Sequence, residues 1–429
     1  MSEFFQRNAE ILQARWPALS VRLAAEDSGA VDAQLVEGLG STLSVDGIQL
    51  TSRHDRLAEA RFQAASLPEA AVLHLYGTGL GDLQDVLLQR PGLQRLHVHI
   101  LNGALFALVL HLLDQTSWLA DPRVELACAG DASEIALPYF ALPAELVLAD
   151  DFNARIRDRL ISETHLTFNN TTFDVADPHL LELLERSLPL LRADHDVAQL
   201  FGSRAGQEAF VIATGPSLQG HLPALKRVRE QVGRPLFIAV DTAYKPLLAA
   251  GITPDIVVSV DHKIRLHHLP PEASADTALV YMPMLDVDTV ALWRGPRYAA
   301  YSDSALYETV REAIPRGHLF VGGSVIHPAA DLAVKMGMRR VTLFGADFAF
   351  PGNRTHTGWD DGVLGPQLSA ARHWVLDGHG QRVRTQLNFR GYLIELERFI
   401  ARHPQVEFFN TSRAGALIAG SRFAPEFCP

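Results

Sequence analysis

The chain has 429 residues, 48% hydrophobic and 20% charged, with a formal net charge of −11, which leaves room for two or three domains with ample core. The acidic balance and the lack of any Lys/Arg run speak against nucleic acid and anionic membrane as partners. Cys128 and Cys428, the two cysteines, build neither a disulfide framework nor a CxxC zinc pattern. With no basic segment leading an apolar run at the N-terminus and no apolar stretch of the ~18 residues that span a bilayer, a cytoplasmic protein is expected.

Residues 1–50 read as short elements, with strands expected at Leu19 to Leu23, Ala33 to Glu37 and Ser41 to Leu50 between Gly and Asp turns. A helix follows from Asp55 to Ala65. From residue 71 an α/β rhythm begins: a buried strand Ala71 to Tyr76, the loop Gly77-Thr-Gly-Leu-Gly81, a helix through Gln89, a strand Arg95 to Leu101, a helix Ala104 to Leu113 and a strand Val124 to Ala127. Residues 1–150 are thus expected to pair an N-terminal β-hairpin with a small Rossmann-like domain. Residues 151–205 read as a helical linker, with helices Phe152 to His165 and Pro178 to Leu200.

Residues 206–365 repeat the α/β rhythm more strongly. Strands are expected at Phe210–Ala213, Leu236–Val240, Ile256–Val260, Leu279–Met282, His318–Val321 and Arg340–Phe344. Helices are expected at Leu222–Val232, Ala243–Ala250 and Ser324–Met336. Short buried strands alternating with helices imply a doubly wound, mostly parallel sheet. Residues 366–429 read as a helical C-terminal segment that completes this domain, with helices Pro366 to Leu376 and Arg384 to His403 and a last strand Val406 to Phe409.

In open α/β sheets, ligands sit beyond the carboxyl ends of the strands. Five strand ends here deliver polar or glycine residues: Thr214-Gly215-Pro216-Ser217, Asp241-Thr242, Asp261-His262, Gly322-Gly323-Ser324 and Gly345-Ala346-Asp347. The first is a strand–turn–helix joint. Pro216 suits a first helical position, Gly215 lets a ligand approach the backbone, and free amides at a helix start attract anions such as phosphate. Each residue also has a plainer reading. Asp241 and Ser324 can cap the helices after them, and Asp255 more simply turns the chain into a strand. The convergence of five such ends weighs more than any one of them.

His356, nine residues beyond Asp347 in Asn353-Arg-Thr-His-Thr-Gly358, lies on a loop leaving the same edge. A neutral imidazole there suits proton abstraction near pH 7. His97 and His99 share a strand face with no third ligand in view. The Gly77–Gly81 loop is GxGxG rather than GxGxxG, with Asn102 where a dinucleotide site has an acidic residue. It reads as a tight structural turn.

These residues resemble a known family. Ser52-Arg-His-Asp55, Glu59-Ala60 and Gly77–Gly81 resemble the N-terminal part of the motility-associated factor (Maf) flagellin glycosyltransferases. Thr214-Gly-Pro-Ser-Leu218, Val240-Asp-Thr-Ala243, Gly251-Ile-Thr-Pro-Asp255, Val258-Ser-Val-Asp261, Gly322-Gly-Ser324, Gly345-Ala-Asp347 and His356 resemble their sialyltransferase-like central domain, the MptE-like domain of unknown-function family 115. Asn410-Thr-Ser-Arg-Ala-Gly-Ala416 and Gly420 resemble the closing segment. The resemblance spans roughly residues 45–420 and is most specific in the central domain.

It implies transfer of a nonulosonic acid, pseudaminic or legionaminic acid, from its CMP-activated form to Ser/Thr hydroxyls of flagellin. Thr214, Gly215, Pro216, Ser217, Asp241, Asp261, Gly322, Gly323 and Ser324 would hold the donor nucleotide, with Asp347 and His356 catalytic. Sialyltransferases usually carry Asn where this chain has Thr214. The resemblance calls for no certain cofactor. A rival reading is a pterin pyrophosphokinase using ATP, with Mg²⁺ held by Asp241, Asp261 and Asp347. A third is a non-catalytic flagellin-binding protein.

Overall fold

The computed structural model describes residues 2–172, 177–354, 357–358 and 373–427, of which residues 164–172 by backbone alone. The chain divides into two compact units, Met1–His165 and Leu166–Pro429.

The first unit carries an antiparallel sheet of β1 (Ala33–Val36), β2 (Thr42–Val45) and β3 (Ile48–Gln49). Asp46 and Gly47, with φ of 49° and 78°, fold the expected Ser41–Leu50 run into the β2–β3 hairpin, the pairing that Asp-Gly favours. The strand expected at Leu19–Leu23 is instead part of the helix Pro17–Ala24. Leu19 and Leu23 are four apart, so a helix turns both toward one core, and Pro17 sits at its first turn.

A parallel sheet follows in the order β6 (Val124–Cys128), β5 (Arg95–Ile100), β4 (Val72–Tyr76), β7 (Tyr139–Ala141). The Gly77–Gly81 loop leaves β4 with three glycines at positive φ, and its amides are filled from within. Buried Glu145 accepts the N–H groups of Thr78, at 2.8 Å, and of Gly79. A Cβ on Gly77 would stand 3.1 Å from the Glu145 carboxyl carbon. Burial pushes Glu145 up to about 7, against the lowering effect of those amides. A carboxylate of the chain thus occupies the place a phosphate would take.

On one face of this sheet His97 and His99 do meet a third ring, His74 of β4. It stacks 4.6 Å from His97, and its Nδ1 lies 3.1 Å from His99 Nε2. Among the described residues, however, no three metal-binding side chains converge as ligands.

The second unit is built on a sheet of nine strands in the order β18 (Arg422–Phe423), β17 (Glu407–Asn410), β14 (Arg340–Phe344), β9 (Glu208–Ile212), β10 (Leu236–Val240), β11 (Ile256–Ser259), β12 (Ala278–Tyr281), β13 (Arg297–Ala299), β8 (His195–Asp196). All neighbouring pairs are parallel. The central strands are apolar and buried along nearly their whole length, as helices on both faces require. From β9 the chain winds one way through β10 to β13, and the other way through β14 and β17. The β9–β14 junction is therefore the topological switch point, where a doubly wound sheet opens a crevice.

Four expectations shift here. The helix expected over 178–200 ends at Ala193. Asp194 is held extended by the Tyr281 hydroxyl (2.8 Å) and the Arg297 guanidinium (2.6 Å), which delivers β8 to the sheet edge. The strand expected at His318–Val321 shrinks to one bridge between His318 and Tyr301, because β8 already fills the place beside β13. Of the helix expected over 366–376, residues 366–372 lie outside the described set. His373–Leu376 is a strand, β15, paired with β16 (Arg382–Thr385). The next helix consequently starts at Leu387 rather than Arg384 and runs to Ala401.

Candidate functional site

A cavity of about 230 Å³ opens at the switch point, beyond the carboxyl ends of β9, β10, β11 and β14. It brings together Thr214, Gly215, Pro216, Asp241, Asp261, Ser324 and Asp347 of the expected residues. Ser217, Gly322 and Gly323 are not among the residues that line it. His356 lies outside the described residues. Its neighbour Thr357 is tied to the turn: the Thr357 N–H donates to the Thr214 carbonyl at 2.8 Å and its hydroxyl to the Gly215 carbonyl at 3.0 Å.

The Thr214–Ser217 turn does not offer the free amides its sequence suggests. The Gly215 N–H donates to the Gly345 carbonyl at 2.9 Å, Pro216 has none, and the Ser217 N–H donates to Asp347 Oδ2 at 2.8 Å. Asp347 is only 2% exposed, and burial raises its pKa against the Ser217 hydrogen bonds. The closing segment holds it from the far side: the Ala416 N–H donates to the Asp347 carbonyl at 2.7 Å. A Cβ on Gly415 would stand 2.6 Å from Asp347 Oδ1. Asp347 is therefore a bracket between the turn and the Asn410–Ala416 segment, and its carboxyl takes the helix-start place expected for a phosphate.

Asp241 is 1% exposed. Its Oδ1 accepts the Thr242 N–H at 2.7 Å and its Oδ2 the Ser259 hydroxyl at 2.8 Å. Desolvation pushes it up to about 7, opposed by those two bonds and helped by the charge of Asp261. The Thr242 hydroxyl pairs with that of Thr214, so adjacent strand ends are linked across the cavity floor. Asp261 is half exposed at the rim, its Oδ1 accepting the Lys263 N–H at 2.9 Å.

Sequence reasoning missed part of the wall. Phe389 and Tyr392, one helical turn apart on Leu387–Ala401, line the cavity, as does Phe348, whose φ of 45° is left-handed. The 3.6-residue period of that helix marks a buried face but says nothing of which cavity it borders. Among the described residues no Lys or Arg lines the cavity, and no three His, Cys, Asp or Glu side chains are placed to hold a metal. The two buried aspartates are instead turned into hydrogen bonds with the protein.

Residues 183–353 match the family model described as 6-hydroxymethylpterin diphosphokinase MptE-like. No curated protein matches the chain. Among solved structures, the chain is similar to a MAf glycosyltransferase from Magnetospirillum magneticum AMB-1, at 16% identity and a TM-score of 0.43, over 99% of this chain and 74% of that one. No helix among the described residues is long and apolar enough to cross a membrane.

Proposed function

We propose that this chain is a glycosyltransferase that moves a nonulosonic acid, pseudaminic or legionaminic acid, from its CMP-activated form to Ser/Thr hydroxyls of flagellin. The observation that carries the reading is the single switch-point cavity shared by the Thr214–Pro216 turn, Asp241, Asp261, Ser324 and Asp347. The acceptor oxygen forms the new bond to the anomeric carbon as the carbon–phosphate oxygen bond breaks. His356 takes the acceptor proton, and CMP leaves with the electron pair. CMP carries that charge well, so the protein's task is to place the two partners and tolerate the phosphate.

Three carboxyl groups and, among the described residues, no lining cation look hostile to an anionic donor. Burial resolves the conflict, because it favours the protonated forms of Asp241 and Asp347. This gives a pH signature. Burial pushes Asp241 up to about 7, so protonated Asp241 and CMP entry are favoured as pH falls through that range. Above pH 7 it ionises and repels the phosphate, so affinity falls with rising pH, approaching about tenfold per unit. Asp241→Asn keeps acceptor and donor toward Thr242 and Ser259 and should flatten the curve. Calorimetric titration of CMP from pH 6 to pH 8.5 checks this; a slope equal in both proteins would remove Asp241 from the site.

The MptE-like match favours a second reading, transfer of diphosphate from ATP to a pterin. That chemistry leans on a divalent ion between phosphates, and both Asp241 oxygens and Asp347 Oδ2 are already taken by protein donors. Incubation with CMP-nonulosonates plus flagellin, and separately with ATP plus pterin, decides between them. CMP release that depends on flagellin supports the transferase, AMP release the kinase. Flagellin binding with neither product would leave a non-catalytic protein.

A further inference from the structure

The Gly322-Gly323 pair and the helix Leu387–Ala401 are fitted to each other. A Cβ on Gly323, whose φ is +93°, would stand 2.5 Å from Tyr392 Cε1. One on Gly322 would stand 3.1 Å from the His327 ring and 2.8 Å from Glu395 Cβ. The two glycines thus let a helix dock against their turn. His327, fully buried, locks the joint. Its Nε2 lies 2.9 Å from the Tyr392 carbonyl, and its Nδ1 lies 2.9 Å from the Ser324 carbonyl and 3.2 Å from the Ser324 backbone nitrogen. Burial lowers the imidazole's pKa, against the raising effect of the Tyr392 and Ser324 carbonyls and the Glu395 charge.

This joint sets the aromatic wall of the cavity. Phe389 and Tyr392 stand with ring centroids 6.3 Å apart, and both border the cavity with Asp261. Asp261 is near enough to Tyr392 for its charge to act with burial in raising the phenol. An aromatic wall beside a carboxylate is a poor place for phosphate. It suits a flat ring that carries an amino donor, as cytosine does, with sugar hydroxyls beside it. The Thr214–Thr242 side has hydroxyls and buried, hydrogen-bonded carboxyls.

We propose that Phe389 and Tyr392 form the platform on which the nucleobase stacks, with the nucleoside toward Tyr392 and Asp261 and the phosphate toward Thr214 and Thr242. His327 is the positioning residue that holds the platform. The assignment rests on the cavity being the CMP-donor site.

The test titrates cytidine and CMP into the full chain by calorimetry. Tyr392→Leu should weaken both by the same factor, about 5- to 150-fold for loss of a stacked base, while Tyr392→Phe stays near wild type. His327→Leu should weaken both in the same way and add little to Tyr392→Leu, because the two act through one wall. His327→Gln, which keeps a donor for the Tyr392 carbonyl, should restore binding. Circular dichroism melts show that each variant is folded. Equal binding by all variants overturns the platform. So does a loss confined to CMP and shared by Tyr392→Phe, which would put the hydroxyl on the phosphate. If wild type binds adenosine and AMP but no cytidine or CMP, the CMP reading fails and the same variants test the platform with adenosine. If it binds no nucleoside, both fall.

Discussion

Replacing His356 by alanine is expected to lower transfer about 10²–10⁴-fold, the usual worth of a general base, while CMP affinity stays within a few-fold of wild type. In the proposed transfer the acceptor hydroxyl is a weak nucleophile until its proton has somewhere to go, whereas the strand ends would hold the donor. Thr357, the next residue, is hydrogen-bonded to Thr214 and Gly215, which ties this stretch of chain to the cavity turn. Asp241 and Asp347 are poorer candidates for the base, because both Asp241 oxygens and Asp347 Oδ2 are already engaged by protein donors. Initial rates of CMP release with saturating flagellin, beside CMP titrations, make the measurement. Undiminished turnover would remove His356 from the chemistry, and a parallel loss of CMP binding would make it a donor contact instead.

Gly215→Ala is expected to destabilise the second unit by about 3 kcal/mol, the upper range for forcing a methyl into a packed interior, and to abolish CMP binding with it. The new Cβ would lie 2.4 Å from both Asp347 Oδ2 and the Gly345 carbonyl oxygen. Neither can yield cheaply. Asp347 is bonded to Ser217, and Gly345 sits at φ +62° against the Ala213 carbonyl. Gly220→Ala is the matched control. It lies in the helix Leu218–Arg229 with nothing within 4 Å of its would-be Cβ, so alanine should stabilise by about 0.5–1 kcal/mol. Urea unfolding of both variants reads the difference. A Gly215→Ala midpoint equal to wild type would mean that the two turns are not packed backbone to backbone.

The parallel sheet was legible because its strands are short apolar runs between helical periods. Phe237 to Val240 or Val341 to Phe344 can lie only inside a layer covered on both faces. The strands at the margin were not legible. His195–Asp196 and Arg297–Ala299 carry no periodic signal, and they are strands because a neighbour offers a hydrogen-bonding edge. His318–Val321 looks more like a strand than either, yet it makes a single bridge, because that edge was already occupied.

The site divides along the same line. Strand-end position is a local property, so the sequence alone determined that Thr214, Asp241, Asp261 and Asp347 would gather at one edge. Whether an amide or a carboxyl there is free is a matter of partners far along the chain, and only the tertiary structure decided it. Asp347 reaches back 130 residues to occupy the Ser217 N–H. Glu145 does the same 67 residues away for the Gly77–Gly81 loop. A buried donor must be satisfied by whatever lies within reach. The Thr214–Ser217 turn, which reads as a phosphate loop, and the Gly77–Gly81 turn are therefore each capped by a carboxyl of the chain itself, and the wall of Phe389 and Tyr392 comes from a helix that no strand-end rule would have placed there.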